Sequence, residues 1–309
     1  MATSQSTFTR RSFLGAAAAL VPLAGCGGER TPAARPTATP SPVVETARKR
    51  DPRDRLVALE RRFDARLGVY ALATGTGTEI AYRADARFAF CSTFKALAAA
   101  AVLRLNPLSH LDDRIAYSEA DLLPHAPITS QHVAAGMTVR ELCDAAVRYS
   151  DGPAGNLLVR DLGGPARLTA FLRGLGDTVT RMDRVEPAIT EATPGDRRDT
   201  TSPRALGTDY GKIVLGDVLP AAKRAFLRDL LERNTTGDHR IRAGVPRGWT
   251  VADKTGTGSY GTLNDVAIVW PRRSAPLVLA IMSRKSTQDA DGDEALIAEA
   301  AEHVVAALT

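Results

Sequence analysis

The apolar positions of RDRLVALERRFDARL, residues 53–67, recur on one face of a 3.6-residue period and predict an amphipathic helix. LGVYALAT and TEIAYRAD follow as strand patterns, and Gly75-Thr76-Gly77 between them predicts a hairpin turn. From Cys91 to about Glu232 the helical period dominates, with stops at Asn106-Pro107, Gly163-Gly164 and Gly174. Strand patterns return in GWTVADKTG, LNDVAIVWP and APLVLAIMSRK, and DEALIAEAAEHVVAAL closes the chain as a helix. Five strands split two and three around a helical stretch predict an α/β (α+β) fold. Residues 53–90 and 233–309 form its α/β lobe, and residues 91–232 an inserted all-helical lobe. A cleft between them is the expected place for a site.

The N-terminus follows a different pattern. Thr9-Arg10-Arg11-Ser12-Phe13-Leu14 is a twin-arginine sequence followed by GAAAALVPLAG, an apolar run too short to span a bilayer, which takes about 20 residues. The run ends in Leu23-Ala24-Gly25-Cys26, similar to a bacterial lipobox. Residues 1–25 thus read as an export signal. Cys26 reads as the lipidated first residue of a protein tethered to the outer face of the cytoplasmic membrane. Residues 26–52 are rich in Pro, Thr and Ala without an apolar face, a linker.

Charge then excludes one class of partner. In residues 1–50, seven Arg and Lys stand against Glu29 and Glu45, which accounts for the whole net charge of +5. Residues 51–309 are balanced and carry no basic footprint for nucleic acid. Cys91 and Cys143, the other cysteines, sit in helical patterns and read as small buried apolar residues rather than a bridge.

Four short stretches carry candidate chemistry. In FAFCSTFKALAAAAVLRL, residues 88–105, Ser92 and Lys95 are three apart and share a helix face. A serine in a first helical turn has its own N–H free to bind an oxyanion, and a lysine among alanines loses its proton more readily. Ser150-Asp151-Gly152 follows a helix; Ser150 reads as a proton relay, and Asp151 as an acceptor that fixes the loop. Glu186-Pro187 holds a carboxylate in a restricted loop, which pairing of Asp199 with Arg184 would close. Lys254-Thr255-Gly256 lays a cation and hydroxyls along a strand, with Gly256 admitting a ligand close to the backbone. Each stretch alone is also what a surface helix, a turn or a charged loop looks like.

In this order the four resemble the motifs of the class A serine β-lactamases, and the similarity extends over residues 53–309, including MTVRELCDAAVRYSD, RDTTSP and NTTGDHRIRAG. The resemblance implies a five-stranded antiparallel sheet flanked by the terminal helices, with the helical domain inserted. It implies hydrolysis of penicillins and cephalosporins through an acyl-serine. Ser92 is then the nucleophile, with the N–H groups of Ser92 and Thr257 as the oxyanion hole, and Ser150 the relay to the lactam nitrogen. Lys254, Thr255 and Thr257 hold the substrate carboxylate, helped by Arg242. Glu186 activates the hydrolytic water; whether Lys95 or Glu186 deprotonates Ser92 stays open. No metal or organic cofactor is implied, and a monomer is expected.

Two positions depart from the family. Gly152 and Thr190 both stand where asparagine is usual. The first departure predicts one substrate hydrogen bond fewer and a wider cleft, the second a looser hold on the water. His125 at the cleft rim reads as a stacking gate or as an exposed histidine. A penicillin-binding DD-peptidase or a non-hydrolysing β-lactam sensor would share Ser92 and Lys254 but has no need of Glu186. A zinc lactamase is excluded, because the five histidines show neither HxH nor HExxH spacing.

Overall fold

A computed structural model describes residues 51–309. The export signal, Cys26 and the linker up to residue 50 lie outside the described residues. Asp51 caps the first helix through its side chain and Pro52 sets the first helical φ, so α1 (Pro52–Arg62) starts one residue before the expected domain edge. It also ends earlier than its apolar period suggests. Asp64 takes a left-handed φ of 44°, and the chain enters β1 (Arg66–Ala73) at once, because Leu67 and Val69 are needed in the sheet.

β1 turns into β2 (Thr78–Tyr82), and β3 (Phe88–Ala89) leads to the helical segment. That segment holds α2 (Phe94–Leu105), the two-residue strands β4 (Arg114–Ile115) and β5 (Met137–Thr138), then α3 (Val139–Arg148), α4 (Gly152–Asp161) and α5 (Pro165–Gly174). It continues through β6 (Thr200–Thr201), α6 (Pro203–Val214) and α7 (Ala221–Glu232). β7 (Thr250–Gly258), β8 (Thr262–Trp270), β9 (Leu277–Arg284) and α8 (Glu294–Leu308) complete the chain. The inserted segment is therefore not all helix: β4 pairs with β5, and β6 pairs back to β3. The helix stops fall as expected, at the extended Asn106 after α2 and at Gly163 and Gly164, with φ of 93° and 99°, after α4.

The main sheet runs β2-β1-β9-β8-β7, every pair antiparallel. Alternation along its strands fills two cores. Leu277, Leu279 and Ile281 pack with Leu56, Leu59, Ile297 and Val304 of the terminal helices. Val278, Ala280 and Met282 face the other way, into a core with α2, α3, α6 and α7. Both faces are buried, so β9 and the second half of β8, Val266–Trp270, read as near-continuous apolar runs. At the centre of the second core α2 is buried from Phe94 through Leu103; a helix apolar all round is an internal one, and its four consecutive alanines let neighbours approach closely. Among the described residues no helix is long and apolar enough to cross a membrane.

Candidate active site

The nucleophile turn is built first. Cys91–Thr93 form a single 3₁₀ turn ahead of α2, and Cys91 takes a φ of 47°, uncommon for a residue with a side chain. β7 lies against this turn at glycine distance. A Cβ on Gly256 would meet the Phe90 carbonyl oxygen at 2.7 Å, and one on Gly258 would meet Thr190 O at 2.7 Å and Cys91 Sγ at 2.8 Å. Gly256 is thus fixed by the approach of the protein's own backbone, not by room for a ligand as the motif suggested. Tyr210 of α6, fully buried, donates to the Thr93 carbonyl at 2.8 Å and ties the turn to the core.

Lys95 follows one turn into α2 with no exposed surface. Its Nζ donates to Ser92 Oγ at 3.0 Å and Ser150 O at 2.6 Å, and pairs with Glu186 Oε1 at 2.8 Å. Burial pushes its pKa down, against the pull of the Glu186 charge. The stem passes over Gly155, where a Cβ would lie 2.7 Å from Lys95 Cε; motif reading gave no notice of that glycine. Ser92 Oγ donates to Glu186 Oε1 at 2.8 Å, so hydroxyl, ammonium and carboxylate form a triangle in which each touches the other two.

Ser150 sits in the left-handed region, φ 56°, between α3 and α4. Asp151 accounts for that bend. Its carboxylate accepts the N–H of Ala154 as the cap of α4 and those of Ile128 and Thr129, as the sequence suggested. The twist aims both polar atoms of Ser150 at lysines: the carbonyl accepts from Lys95 and the hydroxyl accepts from Lys254 Nζ at 3.0 Å. Lys254 is buried, and its pKa is pushed down to about 7, first by burial and then by the Lys95 charge.

Glu186 is delivered by the loop between α5 and β6. Asp199 closes that loop, taking the N–H groups of Asp183 and Arg184 and the Arg184 Nε at 2.6 Å. Asn156 of α4 clamps it from beneath: Nδ2 donates to Glu186 O at 2.8 Å, and Glu186 N donates to Oδ1 at 3.0 Å. Asn156 was absent from the sequence reading; the one signal available was an amide one turn after Gly152 on a helix whose first eight residues are otherwise apolar or glycine. Thr190 lines the cleft, but its hydroxyl donates to Pro187 O at 2.7 Å, leaving only lone pairs for a water.

Two expectations change. Gly152 leaves no open space beside the substrate, because a Cβ there would meet Glu186 Oε2 at 2.6 Å and Leu123 Cδ1 at 3.1 Å. The Glu186 carboxylate occupies the room that the missing side chain vacates. Arg242 is turned away, its Nε on Asp253 Oδ1 at 2.6 Å and its Nη2 on the carbonyls of Leu231 and Glu232. Arg240 takes its place. Four of its five N–H bonds go to Glu294 Oε1, Gly256 O, Asn264 O and Thr257 Oγ1, at 2.8–3.0 Å, and one on Nη2 is left on the cleft side.

Ser92, Ser150, Glu186, Thr190, Thr236, Arg240, Thr255 and Thr257 thus line one cleft of about 470 Å³, with Leu123, Pro124 and Pro187 as its apolar wall and His125 beside them. His125 is at the rim, its Nε2 3.2 Å from Tyr149 O. Thr236 Oγ1 lies 2.5 Å from Thr255 Oγ1. One end of the cleft holds a hydroxyl in contact with both a carboxylate and a cation; the other presents hydroxyls and a guanidinium suited to an anion.

The family model described as the β-lactamase enzyme family matches residues 51–308. A β-lactamase of Mycobacterium tuberculosis is 52% identical over 307 residues, covering 97% of this chain and 98% of that protein. One of Bacillus licheniformis is 48% identical over 288 residues, covering 93% and 92%. Among solved structures, the β-lactamase from Streptomyces albus G superposes with a TM-score of 0.82 at 49% identity, covering 84% of this chain and all of the other. A halotolerant bacterial β-lactamase gives 0.81 at 52% identity, over 82% and 98%. With a serine, two lysines and a carboxylate converging in one cleft, and with relatives this similar over nearly their whole length, the chain belongs to the β-lactamase enzyme family.

Proposed function

We propose that the protein opens the ring of penicillins and cephalosporins by acylating Ser92 and then hydrolyses the ester with a water that Glu186 activates. The observation that carries this is the Glu186 carboxylate, 2.8 Å from both Ser92 Oγ and Lys95 Nζ. With Lys95 charged, its ammonium only donates, so the Ser92 proton points to Glu186, and this geometry favours Glu186 as the acylation base. Ser92 Oγ bonds to the lactam carbonyl carbon while the N–H groups of Ser92 and Thr257 hold the oxyanion. The C–N bond breaks, and the nitrogen takes its proton from Ser150, whose hydroxyl accepts from Lys254 and so directs its own hydrogen to the cleft. Ser150 regains a proton along its Lys254 bond, and proton exchange with solvent recharges Lys254 and returns Glu186 to a carboxylate before deacylation. Water then attacks the ester, Glu186 takes its proton, and the departing Ser92 oxygen recovers one. Thr255, Thr257 and the remaining Arg240 N–H hold the substrate carboxylate, and the Lys254 charge, buried beneath the cleft surface, attracts it without contact.

For location, the twin-arginine stretch and the lipobox-like run before Cys26 support export and a lipid anchor on the outer face of the cytoplasmic membrane. The protein is expected to partition with membranes, and Cys26→Ser to release it. The catalytic reading is tested by steady-state hydrolysis of a chromogenic cephalosporin and of penicillin. Ser92→Ala should be inert, and Glu186→Ala should stall as an acyl-enzyme with a stoichiometric mass increase on Ser92. A Glu186→Ala protein that turns penicillin over at the wild-type rate would remove Glu186 from the mechanism.

A further inference from the structure

We propose that the underside of the Glu186 loop holds a binding site for one small inorganic anion, chloride or a single phosphate. A void of about 30 Å³ lies there, lined by Arg87, Arg184, Arg198 and Arg284, by Asp196, whose carboxylate pairs with Arg198, and by the loop around Gly195. One water needs about 10–15 Å³ by this measure, so the void takes a small ion and nothing larger.

The four arginines are not equally provided for. Arg184 is neutralised by Asp199 and Glu191, and Arg198 by Asp196. Arg87 spends Nη1 on neutral acceptors, Val179 O at 2.9 Å and Thr200 Oγ1 at 3.0 Å. Arg284 reaches only Lys285 O, at 3.5 Å. Among the described residues neither of these two guanidiniums has a carboxylate at ion-pair distance. Arg284 also stands directly across the strand pair from Arg66, an opposition of like charges that weakens a sheet. Burial lowers the pKa of both, reinforced by Arg197 at Arg87 and by Arg66 at Arg284. A guanidinium does not give up its proton at working pH, so the remaining relief is a counter-ion.

Residues 51–309 are charge-balanced, so this is a local accumulation and not part of a general basic surface. The void is roofed by residues 192–198, in the loop that also carries Glu186 and Thr190. An anion there joins that loop to Arg87 beside β3 and Arg284 on β9. The ion therefore braces the carboxylate from below, a consequence that rests on the function proposed above, whereas the site itself does not.

The test is thermal melting of the folded domain at fixed ionic strength in chloride, phosphate or bulky gluconate. Chloride or phosphate should raise the wild-type midpoint over gluconate by about 2–4 °C. Arg284→Gln should melt higher than wild type in gluconate, because a repelling charge is gone, and should lose the anion response. Arg66→Gln relieves the same repulsion without lining the void, so it should keep the response. Equal midpoints in all three salts for the wild type, or the same anion response in Arg284→Gln as in Arg66→Gln, would overturn the proposal and reduce the effect to screening. Turnover in the same salts separates the two readings: a melting response without a rate response keeps the site and overturns the brace.

Discussion

Gly155→Ala adds one methyl group to a helix interior, where alanine is the better helix former by about 0.8–1.0 kcal/mol. Here the methyl has nowhere to go. Its carbon would lie 2.7 Å from Lys95 Cε, 3.0 Å from Cγ and 3.2 Å from Cδ. Carbon atoms pack at about 3.5–4.0 Å, so the lysine stem must retreat by about 1 Å. It cannot retreat freely, because Nζ is held by Ser92 Oγ, Ser150 O and Glu186 Oε1 at 2.6–3.0 Å. A 1 Å displacement takes the Ser92 contact from 3.0 Å to about 4 Å, past hydrogen-bond range. Overpacking costs about 1–3 kcal/mol, partly offset by the helix gain, so the protein should fold with its melting midpoint lowered by a few degrees at most. Acylation should fall far more, by about 10²-fold, because the displaced ammonium no longer holds Ser92 Oγ and Glu186 Oε1 in register. Pre-steady-state acylation by a chromogenic cephalosporin reads that rate directly. Gly174→Ala, in a helix position with open space around it, is the control and should keep full activity. If Gly155→Ala acylates at the wild-type rate, Lys95 has another path for its stem and the packing argument fails.

Asn156→Ala removes both bonds to the Glu186 backbone, each worth about 0.5–1.5 kcal/mol. It should slow deacylation more than acylation, seen as acyl-enzyme accumulating in the mass spectrum during turnover. Glu294→Gln weakens the charged partner of the Arg240 Nε, so KM should rise for substrates with a free carboxylate while kcat changes little; an unchanged KM would detach Arg240 from the substrate. Lys254, with its pKa pushed down to about 7, loses its charge as pH rises through that value, so KM should climb above about pH 7. Asp209 is buried, with its pKa pushed up to about 9 by burial and the Asp177 charge. The folded state then binds the extra proton between the unfolded value near 4 and about 9. Stability from this group is full below that window and is lost as pH rises through it. Asp209→Asn should flatten the decline in urea-unfolding free energy toward pH 9, and an unaltered slope would mean that Asp209 does not carry the proton.

The strands, the terminal helices and the helix stops were legible because burial of one face imposes a period on the sequence, and glycine or proline marks where it ends. The boundary after α1 was not. Its apolar period runs on through Leu67, yet the same leucine is claimed by β1, and only the turn at Asp64 decides between them. The motif residues Ser92, Lys95, Ser150, Glu186, Lys254, Thr255 and Thr257 come together in and beneath one cleft, because the start of α2, the α3–α4 turn, the Glu186 loop and β7 all border it. Which of two arginines faces the cleft was beyond motif reading. Arg240 and Arg242 are two residues apart around the one-turn helix Ile241–Gly244, and that turn sends one to the substrate side and the other to Asp253.

The glycines carry the deeper lesson. A glycine beside a catalytic motif invites the reading that a ligand needs the space. At Gly152, Gly155 and Gly256 the structure puts protein atoms there instead: the Glu186 carboxylate, the Lys95 stem and the Phe90 carbonyl. Each of these neighbours is itself part of the machinery or of the turn that holds it. A side chain at any of the three positions would therefore act through a displaced group 2.6–2.7 Å away, not by narrowing the cleft. A buried lysine hydrogen-bonded to a serine and paired with a carboxylate is possible only if the helix facing it gives up its Cβ, and α4 does so at Gly155 and keeps Asn156 next to it to hold the carboxylate's loop. The spacing of that Gly-Asn pair after Ser150 is as much a part of the constellation as Ser92 and Lys95, although it carries no reactive atom.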